Sequence, residues 1–394
     1  MNTITWKVSD KKLVFTVSGR IDSASAEEME RILSEGCASC PELPVVLDFD
    51  RLEMITSAGL RVVLRLERRR KGSRIINVHP EVYEVLEMTG FTELLEVTRA
   101  YRIISVAGCE VIGRGANSYV CRIDPETIVK VYLHSDSLEE IQRERHLART
   151  AFVMGIPTAI SYDVVRIQEG GYGAVFELLN AESCASLLAS GARSEEEIAR
   201  LSADMLHLIH GTVAEPGTLP DIRERAALWS GFLRDVLPQD QYIKLNALLD
   251  AVPEDPHVLH GDFHLRNIMI QNGEALLIDM DTLSHGHPIF ELAGMFMAYQ
   301  GFYAADHSGA NRFLGISWET ASRLWQRILS LYLNTDNESV LRSIEDRAKV
   351  IAYARILRRT LRRSGDQEKE GQALIGICRN ELTELLPRID TLTF

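Results

Sequence analysis

Cysteine is scarce in this sequence. Six in 394 residues are too few for a disulfide scaffold, and a reducing cytoplasm is the simpler setting. Long apolar runs are missing as well. No stretch of about 18 apolar residues suits a membrane span, and Met1–Lys12 lack the apolar core of a secretory leader. Positive charge is also in deficit: the net charge of -13 gives no overall basic field to draw in nucleic acid. There is no internal repeat, no low-complexity segment and no Pro/Gly linker near residues 100–105. Cys37 and Cys40 form a lone Cys-x-x-Cys with no second pair and no nearby histidine at ligand spacing, so two small residues near a helix end are the reading there. What remains is a soluble chain, 46% hydrophobic and 25% charged. Its 394 residues exceed what one core usually spans, so two or three domains are expected.

The first hundred residues alternate strand and helix patterns. Residues 3–22 read as two strands, with the turn Ser9-Asp10-Lys11-Lys12 between them. Ser23 or Ser25 is placed to cap a helix through Glu27–Glu35. Val45–Leu47 reads as a short buried strand closed by Asp48-Phe49-Asp50. An amphipathic helix spans Ser57–Arg70, a strand Arg74–Val78, and a helix Val82–Met88 stopped at Gly90. Such alternation makes a compact α/β domain.

A second pattern starts near Ile104. Strands at Glu110–Ile112, Tyr119–Ile123 and Thr127–Tyr132 precede a helix from about Ser137 to Met154 and a strand Tyr172–Leu178. From about Glu195 the chain is mostly helical, broken by a His/Asp-rich loop and two short strands within 258–281. Strands followed by helices suggest two lobes with a cleft between them.

Four features in this region carry chemistry. Gly113, Gly115 and Ser118 sit between two strands; small residues let backbone N–H groups approach phosphate, although a hairpin turn would also use them. Lys130 lies in the apolar run Ile128–Val131, and Glu144 is its expected partner on the next helix, with Glu139 and Glu140 as rivals. His260-Gly261-Asp262-Phe263-His264-Leu265-Arg266-Asn267 has the H-x-D-x-x-x-x-N spacing of kinase catalytic loops. There an aspartate orients a hydroxyl and accepts its proton, and an amide five residues on holds Mg²⁺. The pair His260/His264 would suit a helical metal site, but Gly261 argues for a loop. Leu276-Leu277-Ile278-Asp279-Met280-Asp281 then ends an apolar strand on Asp279, where the main Mg²⁺ ligand is needed. The four together point to phosphoryl transfer from a nucleoside triphosphate, with Asp262, Asn267 and Lys130 catalytic and Asn267 and Asp279 on the metal.

At these residues the chain resembles the aminoglycoside phosphotransferase and choline kinase superfamily over roughly 105–390, more than it resembles the protein kinases, whose Asp-Phe-Gly would require glycine at Asp281. The resemblance implies an α+β bilobal protein-kinase-like domain over 104–394, its lobes dividing near 180. It implies a hinge at Phe176-Glu177-Leu178-Leu179, with Glu177 and Leu179 beside the adenine of ATP, and an acceptor that is a small-molecule alcohol or a protein hydroxyl. Glu291 stands where the family usually has aspartate, and the phosphate loop lacks a third glycine.

Residues 1–103 resemble a STAS domain of the anti-sigma-factor antagonist kind. The match rests on Val17–Asp22, Val46–Phe49, Ile55–Leu64 and Glu87–Phe91. The resemblance implies a protein partner and a serine at this helix N-terminus that is phosphorylated to switch binding. Ala58 holds the place of the usual serine, so Ser57 is the nearest hydroxyl, and a plain helix cap by Thr56 or Ser57 is the competing role. The basic groups Arg65–Lys71 and Arg355–Arg363 read as solvated helix ends, although the second could meet an acidic partner or substrate. A regulatory STAS module joined to a Mg·ATP-dependent kinase is the expectation. A nucleotide-binding scaffold without catalysis is the alternative, which the intact Lys130, Asp262, Asn267 and Asp279 disfavour.

Overall fold

The structure, a computed structural model, describes residues 3–9, 11–115, 117–134, 137–363 and 367–394. Asp10 of the first turn and Ala116 of the glycine-containing loop lie outside the described residues. Contacts divide the chain into two units: Met1–Ala107 with Val164–Tyr172, and Gly108–Asp163 with Gly173–Phe394.

In the first unit, β1 (Thr3–Ser9) pairs antiparallel with β2 (Lys12–Ile21), and the sheet continues in parallel through β3 (Val45–Ile55), β4 (Arg74–Val78) and β5 (Glu96–Arg99). Alternation decides which face of β2 is covered: Leu13, Phe15 and Val17 are fully buried. The crossover helices are α1 (Ser23–Ser39), α2 (Ser57–Arg69) and α3 (Pro80–Met88), followed by a single turn, α4 (Phe91–Leu94). Asp22 caps α1, accepting from the Ala24 and Ser25 amides while Ser25 bonds back to the Asp22 N–H. The expected serine caps are thus displaced by the preceding carboxylate, with Ser25 as its reciprocal partner. β3 runs well past the expected stop at Asp48–Asp50, because Phe49, Leu52 and Ile55 stay buried while Asp50 faces solvent. β5 and the short β6 (Arg102–Ile104), which pairs in parallel with a later strand at 163–167, have no turn signal to mark them.

The Arg65–Lys71 group is only partly solvated. Arg65 makes two hydrogen bonds to Glu30 (2.8 and 2.6 Å), and Arg70 donates to the Cys37 carbonyl in the last turn of α1 and to the Cys40 and Leu43 carbonyls beyond it. Thr56 is the N-cap residue of α2, but its hydroxyl donates to Ile21 O rather than capping, and Ser57 is exposed in the first turn.

The second unit begins with antiparallel β7 (Glu110–Arg114), β8 (Ser118–Asp124) and β9 (Thr127–Tyr132), then α5 (Leu138–Val153). After β10 (Asp163–Ile167), β11 (Tyr172–Glu177) pairs with β9, setting Ala174 opposite Lys130. Then come β12 (Glu182–Ser183), α6 (Cys184–Ala189), α7 (Glu195–Gly211), α8 (Ile222–Phe232) and α9 (Gln239–Asp250). Short strands β13 (Val258–Leu259), β14 (Ile268–Gln271), β15 (Glu274–Leu277) and β16 (Ser284–His285) frame the loops that follow. The rest is helical: α10 (Ile289–Tyr299), α11 (Ser308–Leu314), α12 (Trp318–Tyr332), α13 (Glu338–Arg362) and α14 (Lys369–Leu385). Helix α10 is apolar nearly all round and buried accordingly, packed against α12 and α13. Among the described residues no helix is long and apolar enough to cross a membrane.

Candidate active site

Strand β9 sets the first element. Val129 and Val131 point into the core, so Lys130 projects from the opposite face. Its Nζ lies 2.8 Å from Glu144 Oε1 and 2.5 Å from Asp279 Oδ1. Of the three candidate glutamates on α5, it is the buried Glu144 that meets the lysine; its other oxygen accepts from the Tyr132 hydroxyl. Burial works against the charge on Lys130, but Glu144 and Asp279 outweigh it and hold the ammonium well above its usual range.

The second element is the loop after β13. Glu291 of α10 is fully buried and grips its backbone: Oε2 accepts from His260 N (2.5 Å) and Oε1 from Gly261 N (3.0 Å). Gly261 has φ 83°, and a Cβ there would sit 2.6 Å from Thr282 O, so glycine is required on both counts. The loop then returns on itself, with Asn267 Nδ2 donating to Asp262 O (3.0 Å) and Ile278 N to Asn267 O (3.0 Å). His260 Nε2 lies 3.0 Å from Ile278 O, and His264 Nε2 lies 3.5 Å from Asp262 Oδ2. Each histidine thus has its own task in the loop, which leaves no shared metal site between them. The Asp262 side chain remains 56% exposed. Burial of its surroundings raises its pKa, but His264, His260 and Arg355 prevail and lower it to about 2.

Asp279 follows β15 in the left-handed conformation, φ 61° and ψ 65°. For a non-glycine residue this costs about 1–2 kcal/mol, a strain typical of functional positions. Two residues on, Asp281 is pushed up to about 7 by burial and by the carboxylates of Glu144 and Asp279, against the pull of Lys130. Among the described residues, no three His, Cys, Asp or Glu side chains are grouped to hold a metal ion. Magnesium needs no such cage: one or two carboxylates, waters and substrate phosphates suffice. With its amide nitrogen committed to Asp262 O, Asn267 has its oxygen left as a hard donor in the cleft that Asp279 also lines, and the donor types fit Mg²⁺.

Lys130, Glu144, Asp262, His264, Asn267 and Asp279 line one cleft of about 810 Å³. Gly113, Gly115 and Ser118 form part of its wall. Neither glycine has a positive φ, and an added Cβ would meet only ordinary contacts of 3.5–3.7 Å. The hairpin therefore does not demand glycine at either position. Glu177 and Leu179 line the same cleft; the Leu178 N–H is taken by Glu126 O (2.6 Å), while among the described residues nothing takes the Leu179 N–H. Ser57 belongs to the first unit.

Residues 107–325 match the model of a family described as "Phosphotransferase enzyme family". The chain belongs to that family. Residues 3–102 of this phosphotransferase match the STAS domain model. The same part is 34% identical over 108 residues to a Bordetella bronchiseptica protein named as anti-sigma factor antagonist BtrV, covering 26% of this chain and 92% of that one. Among solved structures, the ADP-bound aminoglycoside phosphotransferase APH(2'')-Ib is 14% identical, with 80% of this chain and 99% of the other covered and a TM-score of 0.48. A choline/ethanolamine kinase family protein from Mesorhizobium loti is 12% identical, with 71% and 87% covered and a TM-score of 0.47.

The structure of the phosphotransferase adds residues that the sequence did not single out. Tyr132 braces Glu144, and Thr282 Oγ1 donates to His260 O (2.8 Å). Arg362 and Arg363 at the end of α13 are exposed, while Arg355 and Arg359 line the cleft, a correction to the reading of that group as only a solvated helix end. Their four-residue spacing on α13 was the available signal, but a solvated stripe shows the same spacing.

Proposed function

We propose that the protein transfers the γ-phosphoryl group of ATP to a hydroxyl of a small molecule, with the STAS part, residues 1–103, as a regulatory or docking module. The observation that carries the reading is the convergence of Lys130, Glu144 and Asp279 with Asp262 and Asn267 in one cleft. Lys130, held charged by its two carboxylates, is suited to the α- and β-phosphates, and the 113–118 hairpin to backbone contacts with phosphate oxygens. The Leu179 N–H is free to meet adenine. The chemistry that Mg²⁺ supplies when bound is neutralisation of triphosphate charge, and Asp279 and Asn267 are the residues that would hold it. Asp262 orients the acceptor hydroxyl: the acceptor oxygen bonds to the γ-phosphorus, the bond to the β-bridging oxygen breaks, ADP keeps the electron pair, and the proton passes to Asp262. A pKa near 2 makes Asp262 a weak base, which suits a step governed by positioning.

A protein acceptor is the second reading, favoured by the exposed Ser57, whose hydroxyl is not used as a cap. Incubation with γ-labelled ATP and Mg²⁺ separates the two. Transfer to added small alcohols, abolished in Asp262→Asn, supports the first. Label on the chain itself, lost in both Asp262→Asn and Ser57→Ala, supports the second. No Asp262-dependent transfer to either acceptor would overturn both.

A further inference from the structure

Beyond Asp262 the cleft is basic. Arg266, Arg355 and Arg359 line it together with Phe302, Tyr303 and Phe313. Each guanidinium is held against a ring: Arg355 lies 4.3 Å from the centroid of Trp229, Arg359 4.7 Å from Phe302, and Arg266 5.2 Å from Phe313. Stacking fixes the plane of a guanidinium and leaves its edge donors for a ligand. Among the described residues none of the three makes an ion pair or a side-chain hydrogen bond, whereas twelve arginines elsewhere, Arg65 and Arg327 among them, do pair with carboxylates. The carboxylates that line the cleft are already placed. Glu144 and Asp279 are tied to Lys130, Glu177 is at the hinge, and Asp262 is reserved for the hydroxyl. Burial lowers the Arg355 pKa to about 10 against the pull of Asp262 and Glu291, and burial with Arg363 depresses that of Arg359 against the pull of Asp262. Guanidinium groups fixed on rings with no carboxylate in direct contact and their edge donors facing a cleft are arranged for an anion to arrive, and a polycation would meet their repulsion.

We infer that the acceptor is a small hydroxyl compound that already carries a phosphate or a carboxylate, held by Arg355 and Arg359 with Arg266 at the edge, while its hydroxyl faces Asp262. The inference rests on the proposed phosphoryl transfer. The size of the ligand follows from the cleft, since about 810 Å³ must take a nucleoside triphosphate as well as the acceptor. Paired N–H donors of a guanidinium match both phosphate and carboxylate.

The test is calorimetric titration of the full chain, first with Mg·ADP, then loaded with Mg·ADP and titrated with glycerol 3-phosphate, glycerate, glycerol, choline and kanamycin. At least one of the two anions should bind roughly tenfold or more tightly than glycerol, choline and kanamycin, and which anion binds distinguishes phosphate from carboxylate. Arg359→Gln should weaken that binding about tenfold and Arg355→Gln at least as much, with the melting temperature and Mg·ADP affinity of Arg359→Gln unchanged. Arg359→Glu should abolish the preference for anions. Binding of choline or kanamycin as tight as that of the anions, no binding of either anion, or anion binding unchanged in both glutamine variants would overturn the inference and leave phosphoryl transfer standing. Failure of the wild type to bind Mg·ADP would remove both.

Discussion

One lysine between two carboxylates sets the charge balance of the cleft. Removing it strands Glu144, 9% exposed in its side chain, beside Asp279. Lys130→Met is expected to lower kcat by about 10²–10³, as for loss of a preorganised donor to developing charge, and to weaken ATP binding; steady-state kinetics read both. Gly261 offers a cleaner test of backbone geometry. With φ 83° and Thr282 O 2.6 Å from a prospective Cβ, Gly261→Ala should cost about 1–3 kcal/mol, visible as a lower melting temperature along with lost turnover. That Asp262, Asn267 and Asp279 share one cleft was legible in the sequence, because the proposed chemistry sets short, fixed spacings within one loop and its following strand. Arg355 was not, because whether an arginine on a long helix faces solvent or a cleft is decided by what packs against the helix.

Helix α10 holds the loop after β13 through Glu291. Glu291 is buried, accepts from two consecutive amides, and has the His210 ring 3.9 Å away. Burial pushes its pKa up, but His210, His260 and the Gly261 N–H prevail, so the folded value lies below the ordinary 4.5. The sign follows: stability from Glu291 is fully present above the unfolded value and is lost as pH falls through the folded one. Glu291→Gln keeps the shape but turns one acceptor into a donor, at a cost of about 1–3 kcal/mol at neutral pH. Denaturant titrations of both proteins from neutral to acid should show that gap narrowing below the ordinary glutamate range. At this scale the sequence revealed, through apolar periodicity, most elements up to Tyr132 and the helix α5, and after about residue 195 little beyond a mostly helical region. It hid β5 and β6, which are short and lack turn residues, and it cut β3 short, because Asp48 and Asp50 resemble a turn when only their own chemistry is considered.

For the whole chain, the two family matches and the contact division describe a phosphotransferase unit preceded by a STAS unit. The inclusion of residues 164–172 in the first unit was invisible in sequence, since the pairing of β6 with β10 joins segments some 60 residues apart. Ligand linkage gives a measurable consequence. Mg·ADP at a hundredfold excess over Kd should stabilise the protein by about 2.7 kcal/mol, and EDTA should remove the part of this gain that depends on the metal. Calorimetric melting with and without chelator reads it. The most direct measurement is single-turnover transfer from ATP to a competent acceptor, comparing the wild type with Asp262→Asn at matched nucleotide occupancy. Phosphoryl transfer through Asp262 predicts a rate lower by about 10²–10⁴ with ADP affinity unchanged. A variant that transfers at the wild-type rate would contradict the account.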